Sequence, residues 1–130
     1  MFRLVNKLKN KKGFTLIELI VVLAVLGIIM AIAVPRFVGV QEQAKIDADY
    51  ASGSLIAKTA EIYAAKGMNA TDIESKLQDD FPQDIKFQSS KISGQTLDDV
   101  KITVANGSVT VKVTKGSTDY EIYPENDLDE

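Results

Sequence analysis

The chain has no cysteine, no histidine and no tryptophan, and only three of its 130 residues are proline. Without cysteine there is neither a disulfide staple nor a thiol nucleophile. Without histidine no imidazole can activate a serine, and the two absences together remove the usual zinc ligand sets. The eight glycines are dispersed at candidate turns and helix ends, so no phosphate-cradling loop is formed. No catalytic residue, cofactor or metal is therefore expected. Acid is missing from the first 13 residues, which hold Arg3, Lys7, Lys9, Lys11 and Lys12. With five of the 15 basic residues and none of the 18 acidic ones in that leader, the remainder carries a side-chain charge of −8. A surface of that sign repels phosphate backbones, and direct nucleic-acid binding is not expected.

What the chain does have is a long apolar run. From Phe14 to Val34, 21 residues, only Thr15, Glu18 and Gly27 are not plainly apolar. At about 1.5 Å per residue a helix of that length reaches roughly 30 Å, the hydrocarbon thickness of a bilayer. The basic leader holds residues 1–13 on the cytoplasmic side, and the rest faces outward. A secretory signal places its apolar segment before a small-residue cleavage site and loses it on processing. Here Gly13 precedes the apolar segment, so cutting after it leaves the spanning helix on the mature protein. Taken alone, the apolar run fits an uncleaved signal anchor equally well. Glu18 is the exception in the run: an ionised carboxylate inside a bilayer costs about 2.5–3.5 kcal/mol on insertion scales and calls for a partner.

Gly13, Phe14, Thr15, Leu16 and Glu18, with Gly27 and Pro35, resemble the type IV pilin and pseudopilin family. Its precursors carry a basic leader ending in Gly, then Phe-Thr-Leu-x-Glu and an apolar helix. The resemblance covers the leader and the long helix; beyond that, only the plan of a small β-rich head carries over. It implies that a membrane-embedded prepilin peptidase cuts between Gly13 and Phe14 and N-methylates Phe14. The product would be a single-pass membrane protein, leader cytoplasmic and head outside. An assembly machinery with an ATPase and an inner-membrane platform would then polymerise it into a homo-oligomeric cell-surface filament. Thr15 and Glu18 are assigned to assembly, Glu18 pairing with the Phe14 amine of the adjacent subunit, and Gly27 and Pro35 to a helix hinge. The plainer reading of Glu18 is that it complements its own helix dipole, worth about 0.3–1 kcal/mol.

Residues 36–66 continue the helix as an amphipathic segment. Phe37, Val40, Ala44, Ala48, Ala51, Leu55, Ile62 and Ala65 form the apolar stripe, Thr59 fills its gap, and Gln43, Asp47, Asp49, Lys58 and Glu61 mark the wetter sides. A dimeric coiled coil is disfavoured because bulky residues do not hold the a and d positions. Pro35 loses its own helical hydrogen bond and predicts a kink. Gly67 ends the helix. A second helix starts at a capping box formed by Thr71 and Glu74, has Ile73, Leu77 and Phe81 as its apolar edge, and ends before Pro82. Residues 84–89 are a candidate edge strand and residues 90–97 a loop.

The strongest strand signal lies at the end. Val100, Ile102 and Val104 alternate with polar residues, as do Val109, Val111 and Val113, and Asn106-Gly107 between them is the preferred type I′ pair. That turn sets Val104 against Val109, Ile102 against Val111 and Val100 against Val113. Gly116-Ser117 offers a type II′ turn into a third strand, pairing Val113 with Tyr120 and Val111 with Ile122, and placing Lys112 between Lys101 and Glu121. The greasy face is expected to pack on the helix near Leu55 and Ile62. Glu125, Asp127, Asp129 and Glu130 read as a solvated, disordered end, with a calcium loop as the alternative.

The expected fold class is thus α+β. A leader (1–13) precedes a long kinked helix (14–66) packed on a small antiparallel meander head (67–130), the ladle shape of pilins. Two functions compete: a pilus subunit for adhesion, motility or DNA uptake, and a pseudopilin of a type II secretion system or competence pseudopilus. A membrane-anchored enzyme or receptor head has no site to support it.

Overall fold

The computed structural model describes residues 13–82 and 85–129. The basic leader residues Arg3 to Lys12, Asp84 of the expected edge strand, and Glu130 lie outside the described residues. The elements in order are helix α1 (Leu16–Ala65), helix α2 (Ala70–Asp80), a short 3-10 turn (Leu97–Asp99), and strands β1 (Val100–Ala105), β2 (Ser108–Lys115) and β3 (Thr118–Tyr123). The chain divides into two units, Met1–Val38 and Gly39–Glu130, and each is described by itself.

Within the second unit the sheet is a three-stranded antiparallel meander in the order β1-β2-β3. The β1–β2 register is the one expected: Val104 faces Val109, Ile102 faces Val111 and Val100 faces Val113. Asn106 at φ 52° and Gly107 at φ 80° supply the two left-handed residues that a type I′ turn requires. In the second hairpin only Gly116, at φ 64°, is left-handed, as a type II′ turn needs. Val113 pairs with Tyr120 and Lys112 with Glu121 as expected, but Val111 pairs with Tyr123. A bulge between Val111 and Lys112 shifts the register and corrects the anticipated Val111–Ile122 pair. The bulge still leaves Ile122 fully buried, because the extra residue re-aims it toward the helix.

The sheet packs on α1, but by a different stripe from the one expected. Ile46, Asp49, Gly53, Ile56, Ala57 and Ala60 are buried, whereas Leu55 and Ile62 are 56% and 57% exposed. Close approach explains the choice: a Cβ on Gly53 would sit 2.8 Å from Ile122 Cδ1 and 3.0 Å from its backbone oxygen. Ala57 and Ala60 continue this small-residue surface. Asp49 had marked this side as wet, yet it is 2% exposed. Its carboxylate accepts the Gln88 N–H at 2.9 Å and the Ser89 N–H at 2.7 Å. These bonds supply the hydrogen bonding that burial of a carboxylate demands.

Helix α1 ends in a Schellman arrangement: Gly67 is at φ 87°, its N–H bonds Ala64 O at 2.9 Å, and the Met68 N–H bonds Tyr63 O at 3.2 Å. Helix α2 is capped two residues before the expected position. Asn69, not Thr71, is the N-cap, its Oδ1 accepting the Asp72 N–H at 2.9 Å. Glu74 is thereby free for another task, and its Oε1 accepts the outward Ile102 N–H at 2.8 Å on the free edge of β1. Ile73 and Leu77 are buried as expected. The Tyr63 hydroxyl donates to Asp80 Oδ2, which lowers the Asp80 pKa and raises that of Tyr63.

Residues 85–89 form no strand. Lys86 makes one isolated antiparallel bridge to Thr96, and the segment is instead pinned from α1, with Phe87 and Ile92 buried. Besides Asp49, Glu42 Oε1 accepts the Ser90 N–H at 2.6 Å, which holds Glu42 below the usual carboxylate range. Within the acidic end, residues 125–129 are held by contacts, a correction to the solvated reading: Leu128 is 3% exposed and lies in the core cluster. Among the described residues no group of three or more acidic side chains could hold a metal ion.

Candidate functional site

The candidate site is the stretch around the start of α1. Gly13 and Phe14 precede the helix outside any regular element, and both are exposed, Phe14 at 93%. Thr15 then caps the helix reciprocally with Glu18: the Thr15 N–H donates to Glu18 Oε2 at 2.9 Å, and the Glu18 N–H donates to Thr15 Oγ1 at 3.3 Å. This is a capping box, which satisfies two donors that a helix start otherwise leaves unpaired. Thr-x-x-Glu is its sequence signature, so the capping role of Thr15 was open to detection from spacing alone. Two assembly candidates, Thr15 and Glu18, are thus brought into contact within one chain, immediately after the Gly13-Phe14 bond.

The helix that follows has no dry side. Its apolar side chains from Leu16 to Val38 are exposed all round, and residues 16–65 include one window long and apolar enough to cross a membrane. A helix apolar on every face is stable only where lipid or other helices surround it. A Cβ at Gly27 would meet nothing within 4 Å, so no contact inside this chain requires glycine there. Pro35 lies inside the helix, where it leaves the Ala31 carbonyl without its usual donor, and α1 continues on both sides of it. Gly27 and Pro35 lie further along α1, away from the capping pair.

Three acidic residues outside this stretch have partners that were not anticipated: Asp49, Glu42 and Glu74, the last expected in a helix cap, each accept a backbone N–H from a distant part of the head. Nothing local signals such partners, which lie 28 to 48 residues away.

Comparison with known proteins agrees with the geometry at this end of the chain. Residues 8–34 match the family described as the prokaryotic N-terminal methylation motif. A fimbrial protein of Pseudomonas aeruginosa is 29% identical over 113 residues, covering 85% of this chain and 72% of that protein. The type IV major alpha-pilin of Moraxella bovis is 32% identical over 114 residues, covering 82% of this chain and 70% of that protein. A prepilin peptidase-dependent protein of Clostridium perfringens is 42% identical over 59 residues, 45% of this chain and 42% of that protein. No solved structure matches the chain.

Proposed function

The chain belongs to the type IV pilin family, and from that premise we propose how it is processed and assembled. It is a structural pilin subunit, anchored in the membrane by its apolar helix and displayed in a surface pilus. Processing by a prepilin peptidase and assembly into a filament come with the family. The pseudopilin alternative is not favoured, since relatives aligned over most of the chain are named pilins and fimbrial proteins.

In our reading the peptidase cuts between Gly13 and Phe14 and the new amine of Phe14 is methylated. The leader (1–13) is cytoplasmic before cutting, residues 14–66 form the spanning and filament-core helix, and residues 67–130 form the displayed head. An assembly ATPase and an inner-membrane platform drive polymerisation. Gly27 and Pro35 let the spanning part of the helix bend during extraction from the bilayer, since one has the lowest helix propensity short of proline and the other breaks the hydrogen-bond ladder. The observation that carries the reading is the exposed Gly13-Phe14 junction set directly before a capped, wholly apolar helix. Intact-mass measurement on assembled filaments tests it. The expected species begins at Phe14 and is one methyl group heavier than its sequence, and filaments built from chains that retain Met1 would overturn it.

A further inference from the structure

The segment after β3 does more than terminate the head. Asp127 pairs with Glu121 twice: its Oδ2 accepts the Glu121 N–H at 2.8 Å, and its own N–H donates to Glu121 O at 3.0 Å. The two-residue turn makes Lys115–Thr118 a hydrogen-bonded pair, so the antiparallel alternation makes Lys112–Glu121 a non-hydrogen-bonded pair and turns the Glu121 N–H and C=O to the outer, unpaired edge of β3. Leu128, the next residue, is 3% exposed in the core, and Asn126 Oδ1 accepts its N–H at 3.2 Å. The Lys91 ammonium donates to Asp127 O at 2.7 Å, and Gln43 Nε2 on α1 donates to Asp129 Oδ1 at 2.9 Å. The segment is thus tied to the strand edge, the core, the 86–95 loop and the long helix.

We infer that residues 124–129 are a closing strap that fastens the head without a covalent cross-link and denies the β3 edge to a second copy of this chain. An exposed strand edge is a template for pairing with another strand, and β3 is one of only two edges in the described sheet. The other, β1, is plugged in the same manner, by the Glu74 carboxylate on the Ile102 N–H. Each edge therefore has an acidic side chain seated on one outward N–H. At β3 a backbone N–H and an apolar anchor are added, so the strap mimics one rung of a further strand. A second copy of β3 would compete for the same Glu121 groups. In a filament, where heads stand at high local concentration, such pairing would join subunits in unintended registers.

The test is amide exchange at Glu121 together with sedimentation of the full chain in detergent micelles. Asp127→Ala keeps the Leu128 anchor but removes the side-chain acceptor. Asp127→Ala with Leu128→Ala removes the side-chain acceptor and the apolar anchor together. Asp127→Asn retains a side-chain oxygen in the same place. The expected result is that the Glu121 amide exchanges at least tenfold faster in the double variant, with the Val111 amide still protected, and that this variant self-associates as concentration rises. Asp127→Ala should show the same changes to a smaller extent, and Asp127→Asn should behave as the parent. Unchanged Glu121 protection in both Ala variants would overturn the strap. Loss of protection with no concentration-dependent association would overturn its edge-guarding role. Should the double variant unfold, with Val111 unprotected, Asp127→Ala alone decides between these outcomes.

Discussion

At the scale of the residue, Glu18 carries the functional argument and Thr15 sharpens it. In one chain the two form a capping box, so loss of either member removes a cap worth about 0.5–2 kcal/mol. If Glu18 also neutralises the Phe14 amine of a neighbouring subunit, its removal leaves a charge unpaired in apolar surroundings, a loss of about 3–5 kcal/mol. The two variants are therefore expected to differ. Glu18→Ala should leave cutting after Gly13 and membrane insertion intact but reduce surface filaments more than tenfold, as counted by shearing and immunoblot. Thr15→Val should retain most of its filaments. Equal piliation in the two variants would reduce Glu18 to a cap. The same scale shows where reading residues singly misleads. By sequence Asp49 belongs on the wet side, as a lone carboxylate usually does, yet its partners are backbone N–H groups 39 and 40 residues further on. No periodicity encodes a partner that only the tertiary fold supplies.

At the scale of the element, what was legible followed from local chemistry. Asn106-Gly107 and two runs of alternating valines fix a hairpin, because turn type and a period of two leave one register that keeps all six apolar side chains together. The third strand was half legible: its turn and first pairs follow from Gly116, but a bulge has no composition of its own and displaced the Val111 pairing. The face of α1 that meets the sheet was not legible, since the helix carries two apolar stripes and hydrophobicity cannot rank them. Distance of approach ranks them, and Gly53 is the residue that permits it. Gly→Ala in an open helix interior stabilises by about 1 kcal/mol, and Gly39, whose added Cβ would meet nothing within 4 Å, is such a position. At Gly53 the added Cβ meets Ile122 at 2.8 Å. Gly53→Ala is accordingly expected to lower the midpoint of thermal unfolding where Gly39→Ala raises or preserves it. Gly53→Val should cost about 1–3 kcal/mol through overpacking. A higher midpoint for Gly53→Ala, followed by circular dichroism in detergent, would show that helix and sheet are not in this contact.

At the scale of the whole molecule, the consequence of choosing one stripe is that the other is left bare. Val40, Leu55 and Ile62 are 66%, 56% and 57% exposed, and Ala44, Ala48, Ala51 and Ala65 lie exposed with them. Leu55 and Ile62, the expected packing surface for the sheet, and the alanine-rich half before them are thus apolar surface with no partner among the described residues, on a helix whose opposite side is committed to the sheet. Apolar surface of this extent marks an interaction site, and in a filament-forming subunit the available cover is the helices of neighbouring copies. This separates folding from assembly onto two faces of one element, and substitutions can address them independently. Ile56→Glu places a charge in the fully buried face and is expected to unfold the head, since an unpaired buried charge is strongly destabilising. Leu55→Glu combined with Ile62→Glu should leave the thermal midpoint close to that of the parent, because surface substitutions usually stay within about 0.5 kcal/mol. Membrane insertion and cutting after Gly13 should likewise persist. Surface filaments should nevertheless fall at least tenfold, because each added carboxylate would be desolvated against a neighbouring helix. Full piliation in the Leu55→Glu, Ile62→Glu variant would mean that the bare stripe stays in water within the pilus, and that the filament is held by the apolar residues before Val38 alone.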